Sequence, residues 1–166
     1  MAKALKSWSG MRKYLEQEML AERLRGRIRY NCTHYPGMSD FKAFEIFVDD
    51  ACVKRFSVET VNVHLAGNGI GDSWLRCPLE RRMEYTDEEF GEALRNYRNQ
   101  DIAESLRSAN PIERMFAILD RRVGKRTLET AKEKLDTQPD WLKPFYALRL
   151  EAEGLSGQDA ELWDEL

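Results

Sequence analysis

The sequence predicts an α+β fold: an N-terminal helix packed on a three-stranded antiparallel sheet, followed by an all-helical C-terminal region. Three observations carry it. Apolar residues recur at spacings near three and four between positions 7 and 25, the period of a helix with one buried face. The pattern then alternates between 27 and 56, as half-buried strands do. From Thr86 onward the helical period returns, punctuated by caps and prolines.

In the first helix, Trp8, Met11, Leu15, Met19, Leu20 and Leu24 share a face. Ser7 or Ser9 caps its start, Arg23 and Arg25 oppose the dipole in its last turn, and Gly26 takes the left-handed position after it. In the first strand, Ile28, Tyr30, Cys32 and His34 face one way, and the arginines, Asn31 and Thr33 the other. Pro36-Gly37 and Ser39-Asp40 mark a loop. The second strand runs from Phe41 to Val48, with Phe44, Ile46 and Val48 on its apolar face. Asp49-Asp50 suits a tight hairpin turn, because Asp tolerates positive φ. In the return strand, Cys52 to Phe56, Val53 and Phe56 have opposite parity, which predicts a bulge or an early strand end. The meander has one apolar face, and the first helix is its nearest cover.

Residues 57–65 fit a short helix opened by Ser57, or a strand of Val61, Val63 and Leu65; the helix is the reading adopted. Residues 66–79 hold three glycines, a proline and one tryptophan. The organisation expected is residues 1–79 as helix plus meander and 80–166 as the helical region, packed as one unit.

Thr86-Asp87-Glu88-Glu89 is a capping box before the stripe Phe90, Leu94, Tyr97. Ile102 and Leu106 continue in a short helix. Asn110-Pro111 opens the next, carrying Ile112, Met115, Phe116, Leu119 and Val123, with Gly124 as its stop. Leu128, Ala131 and Leu135 follow. Pro139 or Asp140 opens the last helix, holding Leu142, Phe145, Leu148 and Ala152, and Pro144 points to a somewhat later start. Short connections imply antiparallel neighbours.

The chain has 166 residues, with 26 basic and 29 acidic side chains, a net charge of −3. That excludes a protein basic overall. No apolar run reaches the length of a membrane span, and the N-terminus lacks the core of a secretory signal. The three cysteines, Cys32, Cys52 and Cys77, do not read as a disulfide framework. A cytoplasmic protein is expected. The charge is uneven: residues 1–29 hold eight basic and three acidic groups, and residues 151–166 hold six acidic groups and no basic one.

Four motifs were weighed for chemistry. Gly67-Asn68-Gly69-Ile70-Gly71 lacks the spacing and the Lys-Ser/Thr pair of a phosphate loop and reads as a linker. Cys32, His34, His64 and Cys77 are the only conceivable zinc set. Cys32 and His34 do share a strand face, but a buried thiol and a partly buried imidazole explain them without metal. Nothing activates the Cys32 thiol as a nucleophile. Asp40-Phe41-Lys42 has the acid-x-Lys form of a nuclease but no acid upstream at residues 31–39. Arg27, Arg29, Tyr30 and Tyr35 could stack bases, were Tyr30 not on the face opposite the arginines.

The most distinctive cluster is Asp120-Arg121-Arg122-Val123-Gly124-Lys125-Arg126. Basic residues belong in the last turn of a helix, which accounts for Arg121 and Arg122. Lys125 and Arg126 open the next helix, where their charge meets the positive dipole end. Arg121, Arg122, Lys125 and Arg126 are therefore the candidate binding residues, for an anion or an acidic partner.

The Trp8 helix, Gly26-Arg27-Ile28, Val48-Asp49-Asp50 and Leu119 to Arg126 together resemble a group of small uncharacterised bacterial proteins. The resemblance implies a bacterial origin and a soluble α+β fold, and carries no activity or catalytic residue. The function expected is a non-enzymatic interaction or accessory protein whose partner is another protein, with no cofactor and no membrane. The alternatives are a nucleic-acid binder, using the basic N-terminal third or the 121–126 cluster, and an enzyme of unassigned class.

Overall fold

The computed structural model describes residues 7–35, 41–57 and 85–155. Helix α1 spans Trp8–Lys13, capped by the Ser7 hydroxyl, which accepts from the Gly10 N–H at 3.1 Å. Strands β1 (Ile28–Tyr35), β2 (Phe41–Val48) and β3 (Ala51–Phe56) form an antiparallel sheet in the order β1-β2-β3. Then come α2 (Asp87–Asn99), α3 (Ile102–Leu106), α4 (Pro111–Leu119), α5 (Lys125–Glu133) and α6 (Lys143–Ala152).

The expected starts are present. Thr86 accepts from the Glu89 N–H at 3.2 Å, and Asn110 caps α4 with Pro111 in its first turn. Pro144 lies in the first turn of α6, which starts at Lys143, later than Pro139 or Asp140. Asp49 and Asp50 both adopt positive φ, 49° and 68°, as a right-twisted two-residue hairpin requires. The bulge is also there: Ile46 pairs with Lys54 but Phe47 with Cys52, leaving Val53 as the extra residue.

Besides Leu135, which lies not in the helix of Leu128 and Ala131 but in a 3-10 turn past its end, Leu135–Thr137, two elements differ from the sequence reading. The helix expected over 7–25 ends early. After α1 the chain makes a π-helical turn, Tyr14–Glu18, closed by the Met19 N–H on the Tyr14 carbonyl at 2.9 Å. Leu20 then pairs as an antiparallel bridge with Asp120, and a 3-10 turn, Glu22–Leu24, follows. No glycine or proline causes the break. The main chain at Met19 and Ala21 is taken up by the end of α4, whose last carbonyls need donors. The second difference is that α4 stops at Leu119, not at Gly124. Asp120 is extended (φ −77°, ψ 133°), and Gly124 is instead the cap that precedes α5.

The sheet packs its Phe44–Ile46–Phe56 face on an aromatic column. Phe90 of α2 lies 4.4 Å from Phe44 and 5.0 Å from Phe56, and Phe116 of α4 lies 5.4 Å from Phe90 and 5.2 Å from Tyr97. Trp8 of α1 covers Phe44 at 5.3 Å, so α1, the nearest cover expected, shares that face with α2. One cluster of buried side chains runs from Leu15 to Leu150. The opposite sheet face is not simply solvated. Glu45 and Arg55 form an ion pair at 2.9 Å there, with side chains 3% and 1% exposed. The segment 57–65, apart from Ser57, and the glycines at 67, 69 and 71 lie outside the described residues.

Candidate functional site

The 121–126 cluster sits where α4 turns into α5, against the chain segment that follows α1. Two main-chain hydrogen bonds lock this crossing: the Ala21 N–H donates to Leu119 O at 2.9 Å, and the Arg121 N–H to Met19 O at 2.8 Å. Beneath it lies the Asp120 carboxylate, 1% exposed. It accepts the hydroxyl of Tyr97, the Arg122 main-chain N–H at 2.7 Å, and the Arg122 guanidinium at 2.8 to 3.2 Å. Burial pushes the Tyr97 phenol well above its ordinary pKa, and the charge of Asp120 adds to the push. The hydrogen bonds that the Arg122 guanidinium donates to Asp120 raise its pKa against a smaller opposing effect of burial.

Arg149 completes the corner from α6. Its guanidinium donates to the carbonyls of Ile118 at 3.3 Å, Asp120 at 2.7 Å and Val123 at 2.9 Å. Ile118 lies in the last turn of α4, whose carbonyls lack partners within the helix, and Asp120 and Val123 lie in the turn that follows. Burial lowers the Arg149 pKa, while Glu153 and Asp120 offset part of that.

The four candidate cations therefore have different surroundings. Arg122 is held by Asp120. Arg121 and Lys125 are exposed and line a cleft of about 620 Å³ together with Glu22, Arg23, Arg149 and Glu153. Arg126 lines a different cleft, of about 740 Å³, between α3, α4, α5 and α6. The separation follows from helix geometry, since consecutive residues at the start of α5 point about 100° apart. Helix α5 has no side-chain cap and no acidic residue in its first turn, so Lys125 and Arg126 meet the positive dipole end uncompensated from within the helix.

Sequence reasoning missed the partners of Arg126 in its cleft. Arg126, Thr130 and Lys134 recur at intervals of four, a signal of one shared face, but Arg107 and Arg114 join them only through the fold. It also missed Arg149, whose role depends on carbonyls 26 to 31 residues away.

The zinc and nucleophile readings find no support at Cys32 and His34. Burial pushes the Cys32 thiol up, away from the thiolate that either role needs. Among the described residues no group of three His, Cys, Asp or Glu is placed to hold a metal. His64 and Cys77 lie outside the described residues.

The fold and the corner define an α+β protein with a helical half anchored on a small meander, presenting two cationic clefts on either side of one helix start. The chain belongs to the SF0329 protein family, whose model matches residues 7–150 and so includes the whole corner. That family is uncharacterised, in keeping with the group the sequence resembles. No curated protein and no solved structure matches the chain.

Proposed function

We propose that the protein is a non-enzymatic interaction protein of the bacterial cytoplasm, which docks an acidic segment of a protein partner in the cleft lined by Arg121 and Lys125. The observation that carries this is the position of Arg121 and Lys125: both exposed, both outside any ion pair among the described residues, on a lip fixed by the buried Asp120 network. A lip whose main chain is already held costs less to order around an acidic segment than a mobile loop would.

Glu22 and Glu153 in the same cleft oppose a phosphodiester strand, charged at every unit, more than an acidic segment whose carboxylates are spaced by neutral or basic residues. The basic excess of the N-terminal third points the same way. Arg12, Arg23, Arg27 and Arg29 are each paired with a carboxylate, so that region offers a strand fewer open cations than its composition implies. No helix among the described residues is long and apolar enough to cross a membrane.

The test is affinity capture from host lysate with the wild-type chain and with Arg121→Glu and Lys125→Glu. Both variants alter exposed side chains and should fold, Arg121→Glu unfolding near the wild-type temperature and Lys125→Glu at or slightly above it, since a carboxylate suits the start of α5. A partner captured by wild type and lost with each variant supports the site. A partner retained by both removes it, and capture abolished by nuclease would favour the nucleic-acid reading instead.

A further inference from the structure

We propose that the cleft between α3, α4, α5 and α6 is a binding site for a small organic phosphate. Arg107, Arg114, Arg126 and Lys134 line it, and no carboxylate does. None of the four is in an ion pair among the described residues, in contrast to the first cleft, where Glu22 and Glu153 balance the arginines. Four like charges around one concavity repel each other, and a bound anion of two or more charges relieves that repulsion.

The site has a fixed element as well as mobile ones. The half-buried Arg114 guanidinium donates to the Gln138 side chain at 3.0 Å and to the Ser108 carbonyl at 2.7 Å. It is thereby oriented before any ligand arrives, and the part of its fork not engaged by Gln138 and Ser108 is left to donate to a phosphate oxygen. The buried Tyr146 phenol lies against it, and Arg114 offsets part of the upward push that burial gives that group. Arg126 in the first turn of α5 and Lys134 at its C-cap are both exposed and both line the cleft, with Thr130 between them.

The rest of the wall decides the ligand class. Leu106, Ala103 and Ala131 give the cleft an apolar side, which inorganic phosphate would leave unused. A volume of about 740 Å³ lies within the range of small-molecule sites and accommodates a phosphorylated metabolite with an apolar or heterocyclic body.

Calorimetric titration of the full chain at constant ionic strength tests this, with adenosine diphosphate, fructose 1,6-bisphosphate and inorganic pyrophosphate as probes. The expected result is saturable one-to-one binding of adenosine diphosphate, weakened about tenfold by Arg126→Ala and by Lys134→Ala. Arg121→Ala, in the other cleft, should leave it unchanged. Absence of saturable binding by both organic probes overturns the proposal. So does binding that both cleft variants leave intact. Pyrophosphate binding as tight as adenosine diphosphate would overturn the role given to the apolar wall. Because Arg126 and Lys134 do not line the docking cleft, failure here leaves the partner reading standing, and the reverse holds too.

Discussion

Tyr97 gives its phenol hydrogen to the carboxylate of Asp120, both side chains being almost wholly buried, and so ties the middle of α2 to the end of α4. The same carboxylate holds Arg122 from the solvent side. One acid thus joins two helices, the turn into α5 and the chain crossing at Leu20. Removing it should cost more than removing either partner. Asp120→Ala strips the acceptor from a buried hydroxyl and from the Arg122 N–H, and is expected to destabilise by about 2 to 4 kcal/mol. Arg122→Ala leaves Asp120 bonded to Tyr97 and removes a guanidinium with a side chain 41% exposed, so about 1 kcal/mol is expected. Urea unfolding of the two variants measures the order. An Arg122→Ala loss equal to that of Asp120→Ala would contradict it.

Burial raises the pKa of four tyrosines, Tyr14, Tyr30, Tyr97 and Tyr146. A folded value above the unfolded one, near 10, stabilises the native chain at every pH below the unfolded value, and that contribution is lost as pH rises through the folded value. These groups should leave stability unaffected between neutral pH and about 9 and erode it above about 10. The absorbance of tyrosinate and the helical circular dichroism should therefore change together in an alkaline titration. Ionisation of most of the six tyrosines before any loss of helix would show these phenols to be accessible in the native chain.

How far the sequence revealed this follows from the range of the interactions. Thr86, Asn110-Pro111, Asp49-Asp50 and the parity conflict at Val53 are local signals, and each was fulfilled within a few residues of itself. The break at Met19 has no local signal. It depends on carbonyls and N–H groups about a hundred residues away, which override a good helical pattern. Gly124 misled for a related reason: glycine suits a cap at either end of a helix, and the bridge had already ended α4 at Leu119. At the site, the cationic run was legible but its division was not. That required knowing that α5 starts at Lys125, so that Lys125 and Arg126 diverge into separate clefts.

Glu45 illustrates the same limit on the sheet. Alternation places it on the polar face, yet it is buried against Arg55 and also accepts from the Asn31 amide at 3.2 Å. Glu45→Ala would leave a guanidinium without this carboxylate in a site that excludes water. A loss of about 3 kcal/mol is expected, far beyond that of an exposed strand position. Chemical denaturation of the variant reads it directly. A change within about 0.5 kcal/mol would mean that water reaches Arg55.

The hairpin turn offers a change in the other direction. Asp50 has φ 68°, a conformation glycine adopts freely and other residues at a cost of about 1 kcal/mol. Against that stands its ion pair with Arg29 at 2.9 Å, whose side chains are 85% and 51% exposed. Such a pair contributes about 0.5 kcal/mol or less. Strain relief also has to offset the extra freedom of glycine in the unfolded chain, so Asp50→Gly should fall between neutral and a gain of about 0.5 kcal/mol, or at most about 1 to 2 °C in Tm. The neighbouring Asp49→Gly relieves similar strain but loses two hydrogen bonds from Arg27, both at 2.9 Å, and should be close to neutral. High salt separates the two contributions. It screens the Arg29 pair in the wild type and leaves backbone strain untouched, so the advantage of Asp50→Gly should grow with salt. A Tm below wild type at both low and high salt would show that the turn gains more from the Asp50 side chain than its exposure indicates.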